Sequence, residues 1–400
     1  MKKQNIFIFL EYYYPKSQRV SAQLVKELAE NIKNRNHMVY VIVPDNDCKY
    51  PFEKTNVDGI QVVYFRSFNT KVDNRILRAI YELMIPINAF FMLRKFLSST
   101  QPDYLIYLSP TIFYGPYIKY LVKKFNIKSY LILRDIFPQW AVDVGLIAEN
   151  SLIHKFFKYF ENINYSAASY IGLESPSILK DFKGRNKPYS NNAELLFNWV
   201  KKYEKKDKIY SIRDEFNIQN KIIFFYGGNI GVAQDLSNII RLAESLRHID
   251  NLIFVLMGYG TEREKILNEI KKRDLDEKVI FSNGVPQNKF VDYIQEIDVG
   301  LMSLNKKNRG HNIPGKLLNY SRYGIPILGS VNKSNDIINI INDNNAGIVV
   351  ENGDDQAFRQ AAEDLLDKEF RDEKAIGSSS LVDKIFSVNV AAEKILAKNQ

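Results

Sequence analysis

The chain has 400 residues, 46% hydrophobic and 25% charged, with a formal net charge of +9. That length exceeds what one hydrophobic core commonly serves, so it points to two well-packed globular domains. One cysteine, Cys48, excludes an internal disulfide framework and fits a reducing cytoplasm, and four scattered histidines form no metal-ligand cluster, so no bound metal and no cofactor is expected.

The stretch MKKQNIFIFLEYYYP opens with two lysines and a short apolar run that stops at Glu11, too short for the core of a signal peptide. It reads as a first buried strand at 5–10. A helix near 20–35 follows, then strands at 38–43, 61–65, 104–107, 129–133 and 170–173. Short apolar strands alternating with amphipathic helices imply a doubly wound parallel sheet. The apolar stretch YELMIPINAFFML is shorter than a spanning helix and contains Glu82 and Pro86, so no transmembrane segment is expected. After residue 183 the texture turns loop-rich, and the charged run KKYEKKDK marks a linker around 196–215. The rhythm then restarts with strands at 221–226, 252–256, 278–281, 298–301, 325–328 and 347–349. The expected division is 1–195, 196–380 and a C-terminal helix within 381–400 that packs back toward the first domain.

The charge is uneven. Residues 1–205 carry 29 Lys+Arg against 18 Asp+Glu, a formal +11, and residues 206–400 carry 26 against 28, a formal −2. A basic half fits an anionic partner, a membrane surface or a phosphorylated acceptor; a lysine-rich solvated surface is the other reading. No nucleic-acid-binding motif is present. The segment NRILRAIYELMIPINAFFMLRKFL mixes Arg75, Arg78, Arg94 and Lys95 with large apolar residues, as an interfacial membrane helix does and as a partly buried domain helix also does.

In doubly wound sheets ligands sit at the carboxyl ends of the strands, and four glycine-marked loops fall there in the second half. FFYGGNIGVAQD places Gly227, Gly228 and Gly231 after one strand. LMGYGTEREKI places Gly258 and Gly260 after the next, and FSNGVPQNKF places Gly284, Val285 and Pro286 after the third. In NRGHNIPGKLLNYSRYGIPIL, Asn312 reads as an N-cap, Pro314 as a first-turn residue, and Arg309 and Lys316 as cations flanking a helix N-terminus. Each loop alone fits an ordinary strand–helix turn; four in succession favour a nucleotide site.

The order and spacing of these loops resemble the retaining glycosyltransferases of family 4. The resemblance rests on EYYYP, SAQLVKELAENIKNRNH and RDIFPQWAVDVGLI in the first half. In the second half it rests on YGGNIGVAQDL, VLMGYGTERE, FSNGVP, DVGLMSL and IPGKLLNYSRYGIPIL. The RDIFP and GNIG versions are most similar to the subgroup that builds bacterial surface polysaccharides (O-antigen or capsule), including N-acetylfucosamine transferases. The resemblance implies the GT-B fold, two Rossmann-like doubly wound parallel-sheet domains facing a cleft. It also implies a nucleotide-sugar donor, a UDP-sugar, on the second domain and a polyprenyl-diphosphate-linked saccharide acceptor on the first. With the basic first half, it places the protein in the cytoplasm, peripheral on the inner face of the cell membrane.

Four side chains depart from that family's majority pattern. Where it carries Arg and, five positions on, Lys to bind the diphosphate, this chain has Asn229 and Gln234. Where it carries two glutamates eight positions apart, this chain has His311 and Asn319. Arg309, Lys316, backbone amides and a helix N-terminus would then hold the diphosphate, and Asn319 would bind ribose hydroxyls without charge assistance. His311 could donate to a phosphate or sugar oxygen or lie in a surface loop. At the end of the strand at 129–133, Asp135 could orient or deprotonate an acceptor hydroxyl, pair with Arg134, or cap the next helix. Many relatives have a histidine near this place against the donor's 6-hydroxyl, so its absence is compatible with a 6-deoxy donor. The candidate catalytic residues are therefore Asp135, Arg134 and His311. The candidate donor-binding residues are Gly228, Asn229, Gly231, Gly258, Gly284, Val285, Arg309, Pro314, Gly315, Lys316, Leu317 and Asn319. Two rival readings stand beside a transferase: a nucleotide-sugar epimerase or hydrolase of the same fold, and a catalytically silent binding subunit.

Overall fold

The computed structural model describes the whole chain apart from residues 1–2, 18, 71, 73, 110, 144, 204–206, 309, 311 and 400, and apart from the side chains of 75 and 76. It divides into two compact units, Met1–Asn198 with Val388–Gln400, and Trp199–Ser387.

In the first unit the strands are β1 (Asn5–Phe9), β2 (Met38–Asp45), β3 (Phe52–Val57), β4 (Ile60–Arg66), β5 (Tyr104–Leu108), β6 (Lys128–Leu133), β7 (Tyr170–Leu173) and β8 (Ala193–Leu195). They form one sheet in the order β3-β4-β2-β1-β5-β6-β7-β8. All neighbours are parallel except β3 and β4. The antiparallel β3 was not expected from the sequence, because FEKTNV is half polar and its middle is exposed. It folds back through Asp58–Gly59, both at positive φ, the Asp-Gly signature of a two-residue hairpin. β8 is a three-residue edge strand. Phe7, Phe9, Leu105, Tyr107, Leu131 and Leu133 make the core of one face, on which helices Arg75–Met92 and Gly115–Phe125 also bury Ile85, Ala89, Tyr117 and Ile118.

In the second unit the strands are β9 (Ile222–Gly227), β10 (Leu252–Met257), β11 (Val279–Ser282), β12 (Val299–Ser303), β13 (Ile327–Val331) and β14 (Gly347–Glu351). They form a wholly parallel sheet in the order β11-β10-β9-β12-β13-β14. β13 starts two residues later than its apolar run suggests: Gly324, at φ +65, ends the preceding helix, and the chain must still reach the sheet.

The C-terminal region holds two helices. Lys368–Lys384 stays with the second unit, where a Cβ on Gly377 would lie 2.0 Å from the Asn345 carbonyl oxygen. Val388–Ala397 belongs to the first unit, tied to helix Val20–Asn34 by Asn31–Asn389 at 2.6 Å, to Arg35 by Glu393 at 3.0 Å, and to the sheet by the Tyr104 hydroxyl on the Ile395 carbonyl at 3.1 Å. Among the described residues no helix is long and apolar enough to cross a membrane.

Helices Gly115–Phe125 and Leu152–Ser166 touch backbone to backbone: a Cβ on Gly115 would sit 2.5 Å from Asn164 Cα. Gly115→Ala should therefore force the two helices apart and lower the unfolding free energy by about 1–3 kcal/mol. Gly184→Ala, where no atom stands within 4 Å, serves as the control. Urea unfolding followed by circular dichroism reads the difference; equal midpoints for the two variants would contradict the close packing.

Candidate functional site

The second unit's sheet reverses its order at β9, which has β10 on one side and β12 on the other. Such a point opens a crevice at the carboxyl ends of the strands. β10 follows β9 as far as Met257–Gly227. β12 pairs with it only at Val299–Phe224 and Gly300–Phe225. Beyond that the strands part, and buried Tyr320 fills the gap. Its hydroxyl lies 3.1 Å from the Phe225 carbonyl and 3.2 Å from the Leu301 carbonyl, and it receives the Gly227 N–H. Gly300 admits the ring, since a Cβ there would lie 2.5 Å from it.

Most of the glycines around this crevice are explained by the protein itself. A Cβ on Gly258 would strike the Gly228 carbonyl at 1.8 Å, and one on Gly260 would strike the Ile230 carbonyl at 2.0 Å. The two loops are zipped by Gly228 N–H to the Met257 carbonyl at 3.0 Å and Ile230 N–H to the Tyr259 carbonyl at 2.8 Å. Gly231 leaves room for the Asn229 amide, and Gly284 leaves room for the Tyr259 ring. Two positions differ. A Cβ on Gly315 would meet nothing within 4 Å, and one on Gly228 would meet only the Lys316 Cε and Nζ, at 3.7 Å.

Gly315 begins helix Gly315–Arg322, whose N-cap is Pro314 and carries no side-chain cap. Asn312 is exposed and lies two residues too early to cap, and Pro314 precedes the first turn instead of occupying it. The Gly315 and Lys316 amides are thus first-turn donors without intrahelical partners. Leu317 is different: its side chain is buried in the core and its N–H already bonds the Pro314 carbonyl at 3.0 Å, so neither group faces a ligand.

Lys316 is the cation at this helix end. It is half-buried, and its ammonium rests 3.6 Å from the centroid of the Tyr226 ring. Tyr226 is fully buried and fixed by its own hydroxyl, which donates to the Asn229 carbonyl at 2.6 Å. Among the described residues Lys316 has no carboxylate partner, and burial pushes its pKa down to about 7. Asn319 follows Gly315 by four residues and Lys316 by three, so it shares their face of the helix and is half-buried. Val285 is half-buried beside Gly284. Tyr259, 61% exposed, lays its ring along that loop and donates its hydroxyl to the Gly284 carbonyl at 2.9 Å. Asn229 and Gln234, the substituted cation positions, bond each other at 2.9 Å. Arg309 and His311 lie outside the described residues.

In the first unit, Arg134 and Asp135 follow β6. The Arg134 guanidinium turns inward, donating to the Leu196 carbonyl at 2.8 Å, and burial lowers its pKa to about 10 against the charge of Glu174. Asp135 is exposed, and its main-chain carbonyl accepts the Ser109 hydroxyl at 3.3 Å. The sequence reading passed over Glu11. It stands just past β1, the first unit's own point of order reversal. Burial and the charge of Glu82 push its pKa up to about 7, while Arg78, Arg19 and the Thr111 hydroxyl hold it down. Arg78 pairs with Glu82 at 2.7 Å, and Arg19 lies 4.1 Å from the centroid of the Tyr12 ring. A carboxylate directly after an apolar strand was the available signal.

Residues 207–379 match the family model described as Glycosyl transferases group 1. The probable glycosyltransferase WbjE of Pseudomonas aeruginosa is 23% identical over 63% of this chain and 60% of its own length. WcaI of Escherichia coli K12, a putative colanic acid biosynthesis glycosyl transferase, is 25% identical over 44% of each. The chain thus spans about half the length of the curated relatives it matches. Among solved structures, WaaG, a glycosyltransferase involved in lipopolysaccharide biosynthesis, superposes with a TM-score of 0.63 at 16% identity, covering 98% of this chain and 99% of WaaG. HepE of Anabaena, solved with UDP and glucose, gives 0.64 at 11% over 99% of each chain. The fold is GT-B. The domain match and the names of the relatives support a glycosyltransferase.

The lysine supplies a pH test. A deprotonated amine cannot pair an anion, so an anion bound beside it must carry a proton onto the site. Affinity for UDP should fall as pH rises above about 7, with a limiting slope of about tenfold per pH unit for one proton. Lys316→Met should bind weakly and show no such slope. Calorimetry across that range checks it; an equal slope in the variant would remove Lys316 as the titrating group.

Proposed function

We propose that this chain is a retaining glycosyltransferase. It moves a sugar from a UDP-sugar to a polyprenyl-diphosphate-linked saccharide at the cytoplasmic face of the cell membrane, in surface polysaccharide biosynthesis such as that of O-antigen or capsule. The observation that carries it is Lys316, a cation without a carboxylate partner among the described residues, held on the Tyr226 ring against Gly228 and beside a helix N-terminus without a side-chain cap. That set suits a diphosphate. In the reaction the bond from the anomeric carbon to the diphosphate oxygen breaks, and the bond to the acceptor oxygen forms on the same face. The acceptor's proton goes to the departing phosphate oxygen. Negative charge grows on the diphosphate, where Lys316 and the Gly315 and Lys316 amides stabilise it, without a metal. Tyr259, exposed and pinned by its hydroxyl, offers the nucleobase a stacking surface next to Val285, and Asn319 meets the ribose. Asp135, exposed after β6, orients the acceptor hydroxyl. The donor is a 6-deoxy N-acetylamino sugar in this reading, which follows the resemblance to N-acetylfucosamine transferases. The names of WaaG and WcaI, tied to lipopolysaccharide and colanic acid, support the pathway class, and the UDP complex of HepE supports the donor class.

A catalytically silent binding subunit is the second reading, favoured by the Asn229–Gln234 pair that stands where two cations are usual. UDP release from a UDP-sugar, measured with and without a lipid-linked acceptor, separates the two: release that depends on acceptor supports the transferase, and none with any donor supports the silent subunit.

Donor binding is read by titration of the full chain. Lys316→Ala should weaken UDP and inorganic pyrophosphate alike, by about tenfold or more. Tyr259→Ala should weaken UDP by roughly 1–3 kcal/mol and leave pyrophosphate unchanged. Asn319→Ala should cost UDP about 1 kcal/mol. Wild-type affinities in a folded Lys316→Ala protein would sink the assignment.

A further inference from the structure

Helix Leu152–Ser166 is apolar on two sides. One side packs inward, where Phe157, Phe160 and Tyr165 meet Phe137, Phe113 and Phe182. The other faces solvent: Leu152 is 85% exposed, Ile153 61%, Tyr159 62%, and Phe156 is exposed as well. Their spacing places Leu152, Phe156 and Tyr159 in one line along the helix, with Ile153 beside it. A surface helix of a soluble domain has one apolar stripe, turned to the core. A second stripe of this size marks an interaction site.

The neighbourhood says what kind of site. Helix Gly115–Phe125 lies against this one, joined by the Lys119 ammonium on the Ser166 hydroxyl at 3.1 Å, and presents exposed Lys123 and Lys124. Lys155 is exposed on the apolar helix itself. Beyond them, helix Arg75–Met92 offers exposed Phe91 and sets Phe90 5.1 Å from the Tyr120 ring. Large apolar side chains with Lys155 among them, and with Lys123 and Lys124 further along the same layer of helices past the Ser166 end, match an anionic lipid surface, where the apolar groups enter the headgroup–acyl boundary and the lysines meet lipid phosphates. Asp143 ends the short helix Gln139–Asp143 and Glu149 lies in the loop that follows, so neither is on the outward line.

We propose that the outward line of helix Leu152–Ser166 is the membrane-inserting element of the first unit, with Lys155, Lys123 and Lys124 contacting anionic headgroups. This deepens the membrane part of the reading above and shifts its seat away from the 75–97 segment. Part of that segment is core: Ile85, Ala89, Leu93 and Phe96 are buried.

The test is co-sedimentation of the full chain with vesicles of phosphatidylcholine alone and of phosphatidylcholine with phosphatidylglycerol. The wild type should pellet with the anionic vesicles, less so in high salt. Leu152→Ser/Ile153→Ser/Phe156→Ser should lower the bound fraction at least about tenfold, because exposed apolar groups would no longer leave water. Lys123→Gln/Lys124→Gln should lower binding to the anionic vesicles about tenfold or more, and leave neutral vesicles unaffected. Equal pelleting of wild type and the triple-serine variant would overturn the proposal. So would a wild-type dimer in sedimentation velocity that becomes monomeric in that variant while neither binds vesicles, since the stripe would then be covered by a second copy. UDP titration of the same variants keeps the donor-site reading separate: unchanged UDP affinity with lost vesicle binding supports the inserting element alone.

Discussion

The parting of β9 and β12 is the constraint on which the candidate site depends. Two parallel strands that stay paired to their ends leave no room for a ligand between them. Here the pairing stops after Gly300–Phe225, and Tyr320 stands in the opening with its hydroxyl against carbonyls from both strands. The residue is carried by the helix that begins at Gly315, so the same wedge that holds the strands apart fixes that helix's N-terminus at the crevice. Tyr226, the next residue of β9, then holds Lys316 from beneath. Strand parting, helix placement and cation placement are thus one arrangement, carried by two buried tyrosines and the glycine that admits one of them.

The same arrangement bears on the positions where the chain departs from the pattern of the glycosyltransferases it resembles. Asn229 and Gln234 bond each other and so complete a polar contact within their loop. In the proposed reading, the charge a diphosphate requires is supplied by Lys316, which lies beside Gly228, and by backbone dipoles of the helix that carries it. A lysine confined on an aromatic face, with burial holding its pKa near 7, is poised to gain most from an arriving anion. Such a cation spends little of its charge on the resting protein.

Much of this was legible in the sequence, and the reasons for the rest are physical. Strand–helix rhythm revealed both sheets because buried parallel strands are short apolar runs. The strand Phe52–Val57 was hidden by its exposed polar residues, although Asp58–Gly59 announced the hairpin. Glycine positions were legible but their cause was not: Gly258 and Gly260 serve contacts between two loops, while Gly228 faces the Lys316 side chain and Gly315 faces open space. Leu317 looked like part of a binding helix and proved to be core, because helix spacing alone does not say which side faces the crevice. Glu11 had a readable cue, a charge at a strand end, but its raised pKa depends on Glu82 and on burial supplied by distant segments. The outward apolar line of helix Leu152–Ser166 was hidden because an apolar helix looks the same in sequence whether one face or two are covered.

The most direct test of the central claim is a titration of isotope-labelled protein with UDP, followed through the backbone amide resonances. The account predicts the largest shifts at Gly228, Gly315 and Lys316, with further shifts at Tyr259 and Val285. UDP binding that leaves the Gly315 and Lys316 amides unmoved, or that perturbs mainly amides of the first unit, would contradict it.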